Sequence, residues 1–454
     1  MILSLDFLSG GALVFPNNLD KQRHPIENRW WGVWVGTFIL LATAAALVSP
    51  RTLPFSFPIV FLAILIAAER RQKLRILRSP LGGGSLLAIA FFGYAGLSGL
   101  WAQSPLVPIG HALAAGLCFA GAGVMAHALL CEPRRNIFHI GEGLWIGLFA
   151  GLAYLFVELL SHQTIKLHIY NAFGFGPGNL RPPDFFVWKD HRLLWIAPDD
   201  LKRSIAPVTL FIWSGLLAIR GTAPWRHARW MMPLLFILAA SVVFSSVHST
   251  SKGALIGGAL IFSLASWRRD WSERLLRFGW VASCLAIIPM ALFLHRINLQ
   301  SAPWVQSSMQ HRIVAWNYTA QQTLKAPVLG IGAGMMYELF GSQVIENEPE
   351  AYDPRLPHAH NIYLQTWFEL GVIGAAFLTL IGLAILDRIH RLGPRVAPYG
   401  QATFASATII ASSSYGMWQA WFVSMFAFAV MLFAIAVRTT IDQERTPGLT
   451  QALE

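Results

Sequence analysis

The chain has 454 residues, 55% of them hydrophobic and only 13% charged, with a formal net charge of +11 and a pI near 9.9. That is too apolar and too charge-poor for a soluble chain of several domains, so lipid is the expected solvent. In a lipid-embedded chain a basic excess reports topology, which removes the nucleic-acid reading it would invite in a soluble protein.

Residues 1–30 carry Asn17, Asn18, Asp20, Lys21, Arg23 and Glu27 ahead of the first long apolar run, which does not read as a cleavable signal. Apolar runs then predict about twelve transmembrane helices, near 31–49, 55–68, 84–101, 108–130, 137–160, 205–219, 231–247, 253–267, 278–295, 362–386, 401–418 and 420–437. Each comes close to the ~20 residues a bilayer requires. The expected fold class is all-α: a polytopic membrane protein, with 1–454 as a single integral membrane domain. No repeat marks two transporter halves, no paired broken helices are visible, and Glu69 to Arg78 lacks the Gly and Asp of a transporter's usual basic motif.

With the N-terminus placed inside, 22 of the 34 Lys and Arg fall in cytoplasmic segments, among them Arg70, Arg71, Lys73, Arg75 and Arg78. Ten of the other 12 lie in two long loops, 161–204 and 296–361, and the short external turns hold only Arg51 and Lys252. This asymmetry puts both termini in the cytoplasm and both long loops on the opposite, periplasmic side. Loops of such length are expected to be functional or disordered, and these two read as functional.

The first loop carries His162, His168, Tyr170, Trp188, His191 and Trp195 around a Gly/Pro stretch, Gly174 to Pro183, that cannot be regular helix. Its aromatics suit interfacial anchors or, alternatively, platforms for sugar rings. The second holds a predicted helix, Gln310 to Lys325, then Pro327-Val-Leu-Gly-Ile-Gly-Ala-Gly334, then an acidic stretch with Glu346, Glu348, Glu350 and Asp353. Gly330, Gly332 and Gly334 imitate a nucleotide-binding motif, but no strand precedes them and no GK[ST] follows. They are expected to permit a sharp turn or close backbone approach.

Ionisable groups at the outer membrane boundary are costly to keep there and so are functional candidates. Arg203, Lys252, Arg312 and His360 all start or flank helices at one leaflet, where cations suit a phosphate-bearing headgroup or, alternatively, snorkel to lipid phosphates. Asn361, Gln365 and Glu369 are spaced by four on one helix face, and Glu369 is expected to anchor neighbouring helices through hydrogen bonds. His360 is the candidate general base, since an imidazole accepts a proton near neutral pH. His358 beside it leaves open a metal site shared with the acidic stretch, although nothing else has metal-ligand spacing. Cys118, Cys131 and Cys284 fall in helices or at a helix end, so no disulfide is expected in the loops.

His360-Asn361, nine residues, then Gly371-Val-Ile-Gly374 match H-N-x9-G-x-x-G, and the segment Pro357 to Gly371 resembles the most recognisable stretch of the O-antigen ligase (Wzy-C) superfamily. Leu97-Ser-Gly-Leu-Trp101 resembles that family's third-helix end, Lys202-Arg203 its basic start after the first long loop, and Arg312 with Trp316 through Gly334 its lead-in to the histidine. Ser251-Lys252-Gly253 departs from the family's Ser-Arg, keeping a charge but not the guanidinium fork. The resemblance implies a GT-C-like glycosyltransferase of the bacterial inner membrane, inverting, metal-independent and without a cofactor. It would take a glycan from undecaprenyl diphosphate at the periplasmic face and pass it to an acceptor hydroxyl. On this reading His360 is catalytic, Arg203, Lys252 and Arg312 hold the diphosphate, and Asn361, Gln365, Glu369 and His358 support them. A ligase would use lipid A core as acceptor, whereas a polymerase would use another lipid-linked glycan; a twelve-helix transporter or flippase is the rival of a different class.

Overall fold

The computed structural model describes residues 30–67, 83–130, 132–176, 180, 185–340, 358–413 and 415–444. Among the described residues sixteen helices account for almost all regular structure. Each of the twelve predicted segments coincides with helix: α1 (Trp31–Val48), α2 (Leu53–Ala67), α3 (Gly83–Leu97), α4 (Leu106–Leu130), α5 (Arg134–Leu160), then α7 (Lys202–Thr222), α8 (Trp225–Ser245), α9 (Ser249–Trp267), α10 (Arg269–Leu285) continued by α11 (Ile287–Arg296), and finally α14 (Ile362–Arg391), α15 (Ala397–Ser413) and α16 (Ala420–Glu444). The chain is therefore an all-α polytopic membrane protein.

Of these, seven are long and apolar enough to cross a membrane unaided: α1, α4, α5, α7 with its leading turn, α8, α14 and α16. The α10–α11 pair makes an eighth if taken as one span, but it is bent by 70° at Ala286, where a single helix was expected. The others fall short in length or apolarity; α2 and α3 have 15 residues each and α15 has 17. The expectation of unbroken helices also fails in α14, whose backbone leaves helical geometry at Gly371.

The bundle is centred on α7 and α16, whose apolar windows are 94% and 89% buried. Helices buried on every side need apolar residues all round, and Val208, Leu210, Phe211, Trp213, Phe422, Phe428 and Leu432 supply them. Against this centre α1 and α5 pack almost backbone to backbone, because a Cβ at Gly143 would lie 2.0 Å from the Gly36 carbonyl oxygen. In lipid, where hydrocarbon is no less apolar than leucine, such close approach is a main source of helix association.

The loop-bearing end is partly ordered. In the first loop α6 (Thr164–Ala172) packs on an antiparallel hairpin, β1 (Phe186–Lys189) with β2 (Arg192–Ile196), around Leu167, Tyr170, Phe186, Leu193 and Ile196. Tyr170 and Trp188 join this small core, while Trp195 stays 45% exposed. In the second loop α12 spans Ser307–Thr323, a turn longer at its start than the sequence suggests, and is followed by α13 (Met335–Phe340). The acidic stretch from Glu346 to Asp353 lies outside the described residues, as does Cys131; Cys118 and Cys284 are free thiols.

Candidate functional site

The histidine segment is set by a broken helix. Residue 371 has φ +63° and ψ −163°, so α14 stops and restarts there, leaving the carbonyls of Phe368 to Leu370 without their usual helical partners. The 327–334 segment takes them up: Ile331 N donates to Phe368 O (3.2 Å), Gly332 N to Glu369 O (2.8 Å), and Val372 N donates back to Pro327 O (2.9 Å). The Tyr94 hydroxyl from α3 reaches Leu370 O (3.1 Å) and Leu329 O (3.3 Å). Ser98, at the end of α3, accepts from Ala333 N (3.0 Å). Two of the matched patches, Leu97 to Trp101 and Pro327 to Gly334, therefore meet on the glycine of the third.

Glu369 is fully buried at this junction. Its carboxylate accepts from Gly334 N (2.9 Å), Met336 N (3.4 Å), the Gln365 amide (3.0 Å) and the Trp418 indole. Gln365 in turn accepts from Met417 N (3.3 Å). One side chain thus ties the glycine loop, α14 and the α15–α16 connection together. Asn361, although in register with that stripe, caps α14 by accepting from Leu364 N (3.0 Å).

Directly before the cap lie the two histidines. The Trp316 indole of α12 donates to Ala359 O (2.9 Å), pinning the strand between them. His360 has φ +52°, a left-handed conformation that costs a non-glycine residue about 1 kcal/mol or more and that concentrates at functional sites. Its ring meets that of His358 edge to face, with centroids 4.1 Å apart. Gly416 gives His358 room, since a Cβ there would sit 2.9 Å from the ring.

Two arginines lie close enough to bear on His358. Arg203 comes from the first turn of α7 and Arg312 from α12, and both charges act on His358. Burial foremost, then these two charges, pushes the His358 imidazole down to about 4, so it is neutral near pH 7. Tyr415 feels both arginine charges, its phenol is raised by burial, and its ring is 6.0 Å from that of His248. His248 is pushed down to about 3 by burial and the Arg312 and Lys202 charges, and hydrogen-bonds the Ser251 hydroxyl (2.6 Å). Burial lowers Arg312 as well. Among the described residues neither Arg203 nor Arg312 joins an ion pair; the nearby acids Asp199 and Asp200 are engaged by Lys202 and Lys166. Two half-buried guanidiniums with no carboxylate partner among the described residues are chemically suited to an anion.

The structure therefore brings together Arg203, Arg312, His358 and His360, with Gln365 and Glu369 one layer deeper. Lys252 is half-buried on the first turn of α9, and among the described residues its side chain has no polar contact with this group. Tyr415 and His248 were not singled out from the sequence. A tyrosine before a glycine and a histidine before a helix carry no motif, so only the packing reveals them.

Beside the site an apolar cavity of about 1040 Å³ opens between α3, α4, α14, α15 and α16, lined by Phe92, Gly116, Phe404, Trp418 and Phe426 among others. Its lining reaches Met417 and Trp418, next in chain to the Tyr415–Gly416 turn. Among the described residues no group of three His, Cys, Asp or Glu is arranged to hold a metal ion.

Comparison with known proteins points the same way. Residues 233–379, which contain α12, the glycine loop, both histidines and the α14 break, match the family described as O-Antigen ligase. A protein named "Putative polysaccharide ligase" from Rickettsia felis is 25% identical over 317 residues, covering 68% of this chain and 71% of that protein. Proteins with the same descriptive name from Rickettsia conorii and Rickettsia prowazekii are 26% and 25% identical over 316 residues, each covering 68% of this chain and 70% of the relative.

Proposed function

We propose that this chain, which matches the O-antigen ligase family over residues 233–379, is a glycan-transferring membrane protein that moves a glycan from undecaprenyl diphosphate to a lipid A core hydroxyl at the periplasmic face of a bacterial inner membrane. The observation that carries the proposal is the convergence of Arg203 and Arg312, from helices more than 100 residues apart, on the His358–His360 pair beside an apolar cavity. The cations suit a diphosphate and the cavity suits a prenyl chain, so the two halves of such a donor have adjoining places.

In the proposed reaction the acceptor oxygen attacks the anomeric carbon of the donor sugar. The new C–O bond forms as the bond from that carbon to the diphosphate oxygen breaks, and the electron pair leaves with the lipid diphosphate. His360 takes the acceptor hydroxyl proton. Arg203 and Arg312 neutralise charge as it builds on the leaving diphosphate, an arrangement set before the reaction begins and therefore effective in a desolvated site. Neutral His358 packs against the His360 ring and fixes its orientation. Lys252 is proposed to contribute to donor capture at longer range. Both termini lie in the cytoplasm on this reading.

The test is the product. Purified protein with lipid-linked glycan and candidate acceptors is expected to yield capped lipid A core and release undecaprenyl diphosphate. Longer glycan still on its carrier would assign a polymerase instead, and movement of labelled donor across proteoliposomes without any acceptor would assign a flippase.

A further inference from the structure

We propose that the end of the bundle remote from the histidines carries a site for anionic phospholipid, with headgroup phosphates on Arg229, Arg268 and Arg274 and acyl chains over Trp271, Leu275 and Phe278. The inference is independent of which glycan donor or acceptor the chain uses.

Helix lengths place this site. α9 begins after His248, whose ring is 6.0 Å from that of Tyr415, and Gly416 lies against His358, so the 246–248 connection between α8 and α9 belongs to the histidine end. α8 and α9 pack together on leaving it. At about 1.5 Å per residue, Trp230 lies about 23 Å along α8 from that connection and Trp267 about 27 Å along α9, so both reach the opposite end within about one helical turn of each other. α10 starts there, at Arg269.

Three guanidiniums rest on indoles at this end. Arg229 lies 5.5 Å from the Trp230 ring centre, Arg268 5.4 Å from that of Trp267 and Arg274 6.0 Å from that of Trp271, and all six side chains are exposed. An indole orients the planar guanidinium while leaving N–H groups for phosphate oxygens. Among the described residues none of these arginines joins an ion pair. Glu273 is engaged by Arg277 and His390, and Asp387 by Arg277. Asp270 is the only other acid between positions 225 and 278, against Arg226, Arg229, Arg268, Arg269 and Arg274. That balance favours an anionic headgroup over a zwitterionic one.

α10 supplies the apolar half. It buries Ser272, Leu276, Trp280 and Cys284 against the bundle, and the Trp280 indole donates to Thr379 O of α14 (3.0 Å). Trp271, Leu275 and Phe278, spaced by four and three, face outward, with Phe278 75% exposed. An apolar stripe leading away from Arg268 and Arg274 matches a ligand with an anionic head and hydrocarbon tails, whereas a soluble polyanion would use the arginines alone.

The test counts lipids retained on the full chain by native mass spectrometry after exchange into phosphatidylglycerol or phosphatidylcholine. Wild type is expected to retain phosphatidylglycerol preferentially. R268Q/R274Q should lower its affinity by about tenfold or more and leave phosphatidylcholine within about twofold, with R268K/R274K keeping part of the preference. R134Q/R135Q, which removes two exposed arginines from the start of α5, should change it by less than about twofold. An unchanged preference in R268Q/R274Q overturns the site, and an equal loss in R134Q/R135Q overturns it in favour of unspecific basic charge. Wild-type dimers that form in phosphatidylcholine and are abolished by W271A/F278A would also overturn it, since the stripe would then be covered by a second copy. A melting midpoint of R268Q/R274Q in phosphatidylcholine equal to wild type is expected, and a large drop there would overturn the assignment by showing a structural role for the two arginines.

Discussion

Replacing Gly371 by alanine isolates the break in α14 from the chemistry beside it. A Cβ at this position would lie 2.1 Å from Val328 O and 2.4 Å from Val328 C, both backbone atoms that no rotamer change can move. The residue's own backbone, at φ +63° and ψ −163°, is a region that only glycine occupies without strain, costing another residue about 1–3 kcal/mol. Relieving the clash means separating 327–332 from the broken helix, which sacrifices the bonds of Ile331, Gly332 and Val372 at about 1 kcal/mol each. The docked arrangement should therefore weaken by about 4–5 kcal/mol, roughly three orders of magnitude in population. Because the helices on either side do not depend on the loop, G371A is expected to keep its helical circular dichroism. Transfer activity should be lost, and the amides of Ile331, Gly332 and Val372 should lose protection from hydrogen exchange. Wild-type transfer together with unchanged protection at those three amides would refute the claim that this glycine exists to seat the loop.

Three further outcomes are expected. H360A should abolish transfer, by about 100-fold or more, with folding and membrane insertion intact, whereas R312A should lower turnover of the lipid-linked donor by about 100-fold; near-normal rates in either variant would remove the assigned role. His358 titrates lower in the folded protein than its ordinary value of ~6.5. The unfolded chain therefore binds the extra proton between about 6.5 and about 4, and stability should fall as pH drops through that window. Melting midpoints of H358Q should show a shallower decline than wild type there, and an identical slope would contradict the burial of that imidazole. E369A strands the donors from Gly334, Met336, Gln365 and Trp418 and should destabilise the protein by about 3 kcal/mol or more, whereas E369Q, which keeps an acceptor, should lose less; equal stability of all three proteins would show that the carboxylate is not the anchor.

The positions of the membrane helices were legible in the sequence because an apolar run is a local property and lipid rewards it regardless of neighbours. The H-N-x9-G-x-x-G pattern was equally legible, along with the need for close backbone approach at Gly330, Gly332 and Gly334. Hydropathy could not show that α10 and α11 meet at a bend, or that α14 breaks at Gly371, since a helix and a broken helix of the same apolar residues score alike. The break is stable only because 327–332 supplies partners for the freed backbone groups. Glu369 could be read as facing inward, but which donors it gathers depended on three segments meeting.

The amino-acid order alone determined an all-α membrane protein, the apolar runs that become its helices, and a histidine signature with basic residues at neighbouring helix ends. Tertiary structure alone decided that the Arg203 and Arg312 charges bear on His358, that Tyr415 packs against His248 close to those charges, and that among the described residues Lys252 makes no polar contact with them. The physical reason is range: burial in lipid is settled residue by residue along the chain, whereas a charge cluster is assembled from segments separated by hundreds of residues and exists only once the helices have packed.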